Sequence, residues 1–478
     1  MDRVIWCNEL KRKAQKIFYY SEFDHPAVDW VFKFFSTAIG CTFYPATELR
    51  QASVVYTSIS VEAEQVHIPV WHEYYDQQRT DCALHDGYWI PETRREVACS
   101  IDYVGLVFRL LTLMDELNVP ESARDPLGNL PLDLQLPRFT FCDRPMVDEV
   151  VQAFKKKLIE HHILREEESL PRWLGGKRYA VVITHDTDGP CLLESKELLK
   201  AGFKGLLRGN AMEGRAFLEG SRRIVAGRSD PYFNFSKWAA FEHLLGAKSA
   251  FYIYMKCQQV PNHIHNPLYR VSTSSAKWSI LRELVDRGWE IGLHASIHAL
   301  EQDHYVRAEK EALEQFLGQP VAGNRSHYWS IDWNRPDDSF RRLVAMGLIY
   351  DCSLAWKDVP GFRSATVTPY HPYDPQNRQG FTLLEIPTNL MDGHLFEYQQ
   401  ATDPHQWFAS ITKHVRTHGG VLNLDWHTRT WVDKFSYRGW RTFLVQQLKK
   451  LVETKEVWFT TPKELCEYWL ARERQLEG

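Results

Sequence analysis

Residues 179–189 of the chain read YAVVITHDTDG. An uninterrupted apolar run that ends in polar residues and a glycine predicts a strand buried on both faces, as in a parallel sheet. Asp186 and Asp188 lie two residues apart, so on an extended segment their carboxylates point the same way. Two carboxylates at one strand end repel each other unless a cation or a proton lies between them. Alone, such a pair is equally typical of turns and helix caps.

Short apolar strands alternate with helical segments through the rest of the chain. One helix ends at Gly288, and Thr461 and Pro462 begin the last helix as N-cap and first residue. This alternation predicts an α/β fold with a parallel sheet, and seven or eight strands predict a distorted (β/α) barrel. The predicted strands cover residues 179–184, 249–255, 290–294, 321–325, 348–351, 382–387, 421–426 and 457–460.

A linker-like stretch divides the chain. Residues 163–177 are charged and then contain Pro171 and two consecutive glycines. We therefore predict a smaller α/β accessory domain over residues 1–165 and the barrel over 178–478. Residues from about 194 to 241 are long for one strand–helix connection and contain a basic helical section. They predict a solvated insertion, with a substrate lid or a peripheral membrane contact as the alternatives.

Composition excludes several classes of protein. The chain has 478 residues, of which 44% are apolar, so it can bury a sizeable core. Its 57 Lys and Arg against 61 Asp and Glu argue against a nucleic-acid partner. No apolar run is long enough to span a membrane, and no secretory signal is recognisable at the start. The nine cysteines are scattered, which favours a reducing, cytoplasmic location.

Histidines follow the predicted third strand with a spacing that suits a metal. His294 and His298 in HASIH are four residues apart and could reach one ion together with a carboxylate from the Asp186–Asp188 pair. Two neutral imidazoles and one carboxylate leave open positions on Zn²⁺, Fe²⁺ or a similar ion. Such an ion lowers the pKa of bound water to about 7.

Other predicted strand ends carry polar and aromatic side chains. His427 could protonate a leaving group, and Arg325 could pair with the carboxylate that is not on the metal. Asp351 adds a polar group at the same rim. Aromatic side chains nearby are candidates for stacking on sugar rings, with packing inside the barrel as the alternative: Tyr328, Trp329, Trp356 and Trp426.

Taken in order, these motifs resemble those of the polysaccharide deacetylase superfamily, also called carbohydrate esterase family four. The motifs are THDTDG, HASIH, GNRSHYW, YDCSLAW and LDWH, and the chain ends in the similar VWFTTPKELCEYW. The resemblance covers about residues 178–470. It is closest to a bacterial subgroup with an additional N-terminal domain and a GFR segment, here residues 361–363. Ala295 replaces the Ser or Thr of the family's second motif.

The resemblance implies a role for each matching residue. Asp186 would be the general base and His427 the general acid, while Arg325 would tune Asp186. The metal ligands would be Asp188, His294 and His298. Zinc is the expected divalent ion, with iron, manganese, cobalt or nickel as alternatives. Either Asp351 or Asp392 would orient His427.

The implied function is metal-dependent removal of an N-acetyl or related acyl group from an amino-sugar glycan. The expected substrate is an acylated amino sugar, an oligosaccharide, or a lipid-linked or nucleotide-linked glycan precursor. Two alternatives stay open. The same site could hydrolyse a small amide or a formyl group, or the protein could bind glycans without catalysis.

Overall fold

The computed structural model describes residues 13–59, 63–76, 82–97, 101–117, 119–131, 137–192, 202–203, 207, 211–398 and 403–477. Within these ranges the chain forms two parallel sheets and two short hairpins, with helices packed around them. The strands are β1 (Lys16–Ser21), β2 (Thr42–Pro45), β3 (Val54–Tyr56), β4 (Val66–Ile68), β5 (Cys82–His85), β6 (Tyr88–Pro91), β7 (Tyr179–Asp186), β8 (Ser249–Ile253), β9 (Glu290–Leu293), β10 (Gly323–Asn324), β11 (Tyr350–Asp351), β12 (Tyr373–Asp374), β13 (Gln379–Gly380), β14 (Leu384–Glu385), β15 (Leu390–Met391), β16 (Val421–Asp425) and β17 (Val457–Thr460).

Strand β7 lies at the centre of the larger sheet. All eight of its residues are buried, as its apolar sequence predicts. It pairs with β16 on one side, and on the other side with β17 along its first half and β8 along its second half. The sheet order is β14-β11-β10-β9-β8-β7-β16-β15, with every pairing parallel and β17 beside β7.

One short segment makes both edges of this sheet. Strands β14 and β15 are separated only by residues 386–389, yet β14 pairs with β11 and β15 pairs with β16. Asn389 and Asn423 join the segment to β16, because the Asn389 amide oxygen accepts the Asn423 N–H at 2.8 Å. The sheet thus curls back on itself. This architecture confirms the predicted distorted (β/α) barrel, and each predicted barrel strand has a counterpart in it.

Helices alternate with the barrel strands and follow the signals in the sequence. Gly318 and Gly419 adopt the left-handed conformation that ends the helices before them, while Pro336, Pro404 and Pro462 each begin a helix. The helices are α1 (Pro26–Ile39), α2 (Tyr103–Leu111), α3 (Met114–Leu117), α4 (Met146–Glu160), α5 (Ala211–Val225), α6 (Phe235–Leu244), α7 (Ile280–Asp286), α8 (Asp303–Leu317), α9 (Pro336–Ala345), α10 (Asp392–Phe396), α11 (Pro404–His418), α12 (Trp440–Glu453) and α13 (Pro462–Glu477). No helix in the described ranges is both long and apolar enough to cross a bilayer.

The N-terminal part of the chain forms the smaller parallel sheet, in the order β2-β1-β3-β4. Its buried apolar residues belong to the same continuous core as those of the barrel. The domain boundary near residues 165–178 therefore stays a prediction. Residues 194–201, 204–206 and 208–210 of the predicted insertion at about 194–241 lie outside the described residues. Its described part contains α5 and the first part of α6.

Two buried acids of the N-terminal part hold the GFR-containing segment of the barrel. The Asp148 carboxylate accepts hydrogen bonds from the Thr366 hydroxyl at 2.9 Å and the Val367 N–H at 2.8 Å. The Glu116 carboxylate pairs with the Arg363 guanidinium at 2.8 Å, and both side chains are almost fully buried. Removing one partner of such a pair leaves a buried charge uncompensated, so these contacts stabilise the join between the two parts.

We expect Glu116→Gln to lower the free energy of unfolding by about 3–5 kcal/mol, because Arg363 would remain buried without its counter-charge. Urea denaturation followed by circular dichroism measures the change. Glu121→Gln, at an exposed position, is the matched control and should unfold like the wild type. Equal stability of the two variants would show that the Glu116–Arg363 pair does not hold the segment.

Candidate active site

Polar side chains gather where the barrel strands end. Asp186 closes β7, and Asp425 closes β16. His294 and Arg325 directly follow β9 and β10. Asp392 follows β15 and begins α10. Since parallel strands present their carboxyl ends at one edge, the fold brings these distant residues together.

Three potential metal ligands converge on one point. His294 Nε2 lies 3.0 Å from His327 Nδ1 and 3.1 Å from Asp188 Oδ1. The His327 Nδ1 to Asp188 Oδ1 distance is 3.3 Å. His294 is fully buried and His327 is nearly so, whereas 24% of the Asp188 side chain is exposed to solvent. Two imidazole nitrogens and one carboxylate oxygen form a donor set that suits zinc or a similar divalent ion.

Hydrogen bonds on the far side of each ring fix which nitrogen faces this point. His294 Nδ1 lies 2.9 Å from the Arg325 carbonyl oxygen, and His327 Nε2 lies 2.9 Å from the His265 carbonyl oxygen. A carbonyl can only accept, so each of these nitrogens carries the proton and the other nitrogen offers a lone pair. Two lone pairs and a carboxylate oxygen therefore face one another, an arrangement that a bound cation stabilises.

His298 is not part of this cluster, which corrects the prediction from the H-x-x-x-H spacing. Its Nδ1 lies 2.6 Å from the Glu301 carboxylate, and its ring packs against His263 at 5.2 Å between centroids. The chain turns away after His294, where the Glu309 carboxylate accepts the Ser296 N–H at 2.9 Å. This turn carries His298 towards the surface, and His327 provides the third ligand position.

The sequence did not single out His327, although it lies only two residues after Arg325. Its placement depends on an unusual backbone, because Tyr328 and Trp329 both have left-handed φ angles of 54° and 57°. Such angles are strained for bulky residues and persist only where the surroundings impose them. Asn129 helps to impose them, since its side chain donates to the Tyr328 carbonyl oxygen at 3.1 Å.

Arg325 connects the second aspartate of the site to the barrel. Its guanidinium is fully buried and lies 3.2 Å from Asp186 and 3.3 Å from Asp425. The predicted pairing with Asp186 is present. Burial and then the charge of Asp186 raise the pKa of Asp425 above its usual value, which favours its protonated form. Asp186 Oδ1 faces Arg325, while Asp186 Oδ2 lies 3.8 Å from His294 Nε2 and faces the ligand cluster.

Asp392 orients His427, which answers the question that the motifs left open. The Asp392 carboxylate lies 2.7 Å from His427 Nδ1 and accepts the His427 backbone N–H at 2.9 Å. His427 Nε2 then points to Asp188 at 3.0 Å. Burial opposes the charged form, but Asp392 and Asp188 together raise the pKa of His427 well above its usual value. The two carboxylates therefore favour the imidazolium form of His427.

The electrostatics of Asp188 follow from its neighbours. Burial disfavours its charge, yet His327 and His427 hold the pKa of Asp188 well below its usual value. Arg429, which the motifs did not reveal, adds a guanidinium at 3.5 Å. The carboxylate stays ionised and surrounded by groups that can be positively charged.

Most of the predicted sugar contacts are buried, which corrects their assignment. Trp426 has no exposed surface, and Trp329 and Trp356 are at most 4% exposed, so packing accounts for all three. Asp351 is also fully buried and binds Asn324 at 2.8 Å and Ser353 at 2.9 Å within the barrel wall. Tyr328 is 36% exposed beside His327 and keeps a ring available to a ligand.

No protein-family model and no curated protein matches the chain. Solved structures similar to it include a candidate polysaccharide deacetylase from Mycobacterium smegmatis, with 16% identity, 63% of this chain and 92% of that chain covered, and a TM-score of 0.39. PuuE allantoinase has 14% identity, 63% and 93% coverage, and a TM-score of 0.39. A further candidate polysaccharide deacetylase, from Pseudomonas aeruginosa PAO1, has 14% identity, 63% and 93% coverage, and a TM-score of 0.38.

The ligand geometry predicts opposite effects for two histidine substitutions. We expect His327→Ala to lose bound metal, because it removes one of three converging donors, and His298→Ala to retain it. Plasma mass spectrometry of the purified, dialysed proteins measures the metal content. Retention of metal by His327→Ala together with its loss from His298→Ala would restore the assignment made from the sequence spacing.

Proposed function

We propose that the protein is a metal-dependent hydrolase that removes an N-acetyl or related acyl group from an amino sugar in a glycan or glycan precursor. One observation carries the proposal. A cluster of Asp188, His294 and His327 lies between a carboxylate outside the cluster, Asp186, and the imidazole of His427. Amide hydrolysis needs a base and an acid on either side of an activated carbonyl, and this arrangement provides both.

The proposed ligands are Asp188, His294 and His327. Zinc is the first candidate because the donor set is two imidazoles and one carboxylate, and iron, manganese, cobalt and nickel accept the same donors. The ion would supply Lewis acidity, which polarises the acyl carbonyl and makes water more acidic. Asp188, held ionised by its neighbours, contributes the negative charge of the ligand set.

Asp186 acts as the general base in this proposal. Arg325 holds its Oδ1 and leaves its Oδ2 facing the ligand cluster, so Oδ2 is the atom that receives the proton of the attacking water. Asp425 also lies beside Arg325, but burial and the charge of Asp186 raise its pKa and favour its protonated form. The guanidinium therefore compensates mainly the charge of Asp186, which keeps this carboxylate available as a base.

His427 acts as the general acid. The carbon–nitrogen bond breaks more easily when the departing nitrogen receives a proton. His427 holds that proton on Nε2, which faces the cluster, because Nδ1 is engaged by Asp392. Asp392 fixes the orientation of the ring and stabilises its positive charge. The proton moves to the leaving amine as the acyl group is released as a carboxylate.

The proposal also covers the contact with the sugar, the cellular location and the substrate class. Tyr328, exposed beside the cluster, is the aromatic side chain that would contact a sugar face. We propose a cytoplasmic location, which the scattered placement of the nine cysteines in the sequence supports. A substrate met there would be a nucleotide-linked or lipid-linked precursor. Acetate release from N-acetylhexosamine oligomers, compared with hydrolysis of small amides and formyl compounds, tests the substrate class.

We expect Asp186→Asn to lower kcat for acetate release by about 10²- to 10⁴-fold, because the amide cannot accept the proton of water. Metal content should remain that of the wild type, since Asp186 is not one of the proposed ligands. Enzymatic detection of acetate measures the rate, and elemental analysis provides the control. Wild-type turnover by Asp186→Asn would remove Asp186 from the role of base.

The pH profile tests the acid. His427 must be protonated to act, so activity should be present below its raised folded-state pKa and fall as the pH rises through it. Asp392→Asn removes the neighbour that raises this pKa most, so the alkaline limb of the kcat profile should shift to lower pH. An alkaline limb at the same pH in Asp392→Asn and the wild type would contradict the assignment of His427.

A further inference from the structure

A basic pocket lies between α5 and residues 433–438, outside the ligand cluster. Its volume is about 460 Å³. Two arginines of α5 face two cationic side chains of the loop across it, and an apolar side chain from each element completes the lining. The cations are Arg215, Arg222, Lys434 and Arg438, and the apolar residues are Leu218 and Phe435.

The positive charge of this pocket is not compensated by the acids that also line it. Glu219 pairs with Arg223 at 3.1 Å. Asp433 pairs with Arg441 at 3.2 Å and also accepts hydrogen bonds from the Thr442 hydroxyl and the Gly439 N–H. Both acids are therefore engaged by other groups. None of the four pocket cations forms an ion pair with any residue in the described ranges, so they share an excess of positive charge.

A short chain of contacts connects the pocket to the proposed active site. The Arg429 guanidinium lies 3.5 Å from Asp188, and its Nε donates to the Tyr437 hydroxyl at 2.9 Å. Tyr437 is followed directly by Arg438, which lines the pocket. Two side chains thus separate the carboxylate of the ligand cluster from the basic pocket.

We propose that this pocket binds the diphosphate group of a carrier to which the acylated sugar is attached. The inference rests on the proposed deacylation and names its substrate class. Arginine guanidinium groups match phosphate oxygens in geometry and charge, and three arginines with one lysine suit a group of two linked phosphates. The sugar attached to the diphosphate then extends past Tyr437 towards Asp188.

Two carriers share this chemistry, a nucleoside diphosphate and an isoprenyl diphosphate. An apolar surface adjoins the cations, because Arg215, Leu218, Arg222 and Val225 recur at helical spacing on one exposed face of α5. Leu218 is 56% exposed and Val225 is 89% exposed. This surface offers contacts to a hydrocarbon chain, while the ring of Phe435 offers a contact to a base. The experiment separates the two carriers.

Isothermal titration calorimetry of the full chain with inorganic pyrophosphate tests the site. We expect saturable binding that is weakened at higher salt, and weakened by about tenfold or more in the double variant Arg222→Gln/Arg438→Gln. Arg228→Gln, at an exposed arginine close in sequence but outside the pocket, is the matched control and should bind like the wild type. Thermal melts verify that all proteins are folded.

These binding measurements do not depend on deacylation. A failure of the proposed function can therefore be distinguished from a failure of the pocket to bind diphosphate. Absence of pyrophosphate binding, unchanged binding by the double variant, or equal weakening by Arg228→Gln would each overturn it. Uridine diphosphate and farnesyl diphosphate are then titrated in the same way. Tighter binding of either one supports the proposal and identifies the carrier, and binding of neither would overturn the carrier assignment.

Discussion

The buried guanidinium of Arg325 is the interaction on which the rest of the barrel depends. It lies at the end of β10 and donates to Thr184 of β7, to Thr388 in the segment that closes the sheet, and to Asn423 of β16. A buried charge needs all its donors satisfied, so these strands must end at mutually fixed positions. The same cation faces Asp186. Closure of the sheet and the charge of the proposed base are therefore set by one side chain.

The charges around the site follow from that arrangement. Arg325 lies between two aspartates. Burial raises the pKa of Asp425 and favours its protonated form, while Asp186 Oδ2 faces the ligand cluster. On the other side, Asp392 raises the pKa of His427 and sustains an imidazolium. A negative and a positive group thus flank the converging ligands. Pairs of titratable groups held in opposite charge states are typical of acid–base sites.

Residues of the N-terminal part of the chain bind the barrel segments that carry or adjoin the site. Asp148 and Glu116 hold the segment after β11, and Asn129 holds the strained backbone beside His327. The buried apolar residues of the two parts form one continuous core, so the N-terminal part packs directly against the barrel. The geometry of the ligand cluster therefore depends on residues more than a hundred positions earlier in the sequence.

Much of the barrel could be predicted from the sequence because its strands are short apolar runs separated by glycines and prolines with local effects. Strand β15 could not be predicted, because it consists of only two paired residues and so short a strand shows no periodic pattern in the sequence. Five residues of the candidate site were recognisable because each lies at the end of a predicted strand or just after it: Asp186, Asp188, His294, Arg325 and His427. Asp425 was hidden because nothing in its sequence context distinguishes a buried, protonated carboxyl from an ordinary strand end.

The sequence by itself determined the parallel sheet, because short apolar strands alternate with helices along the chain. It also determined that histidine and aspartate side chains lie at the ends of these strands, and parallel strands present those ends at one edge of the sheet. Only the tertiary structure decided between His298 and His327. Spacing along the chain favours the pair four residues apart, but the turn after His294 and the left-handed backbone after His327 determine which imidazole lies beside His294 and Asp188. Those conformations are imposed by distant contacts, and distant contacts leave no local trace in the sequence.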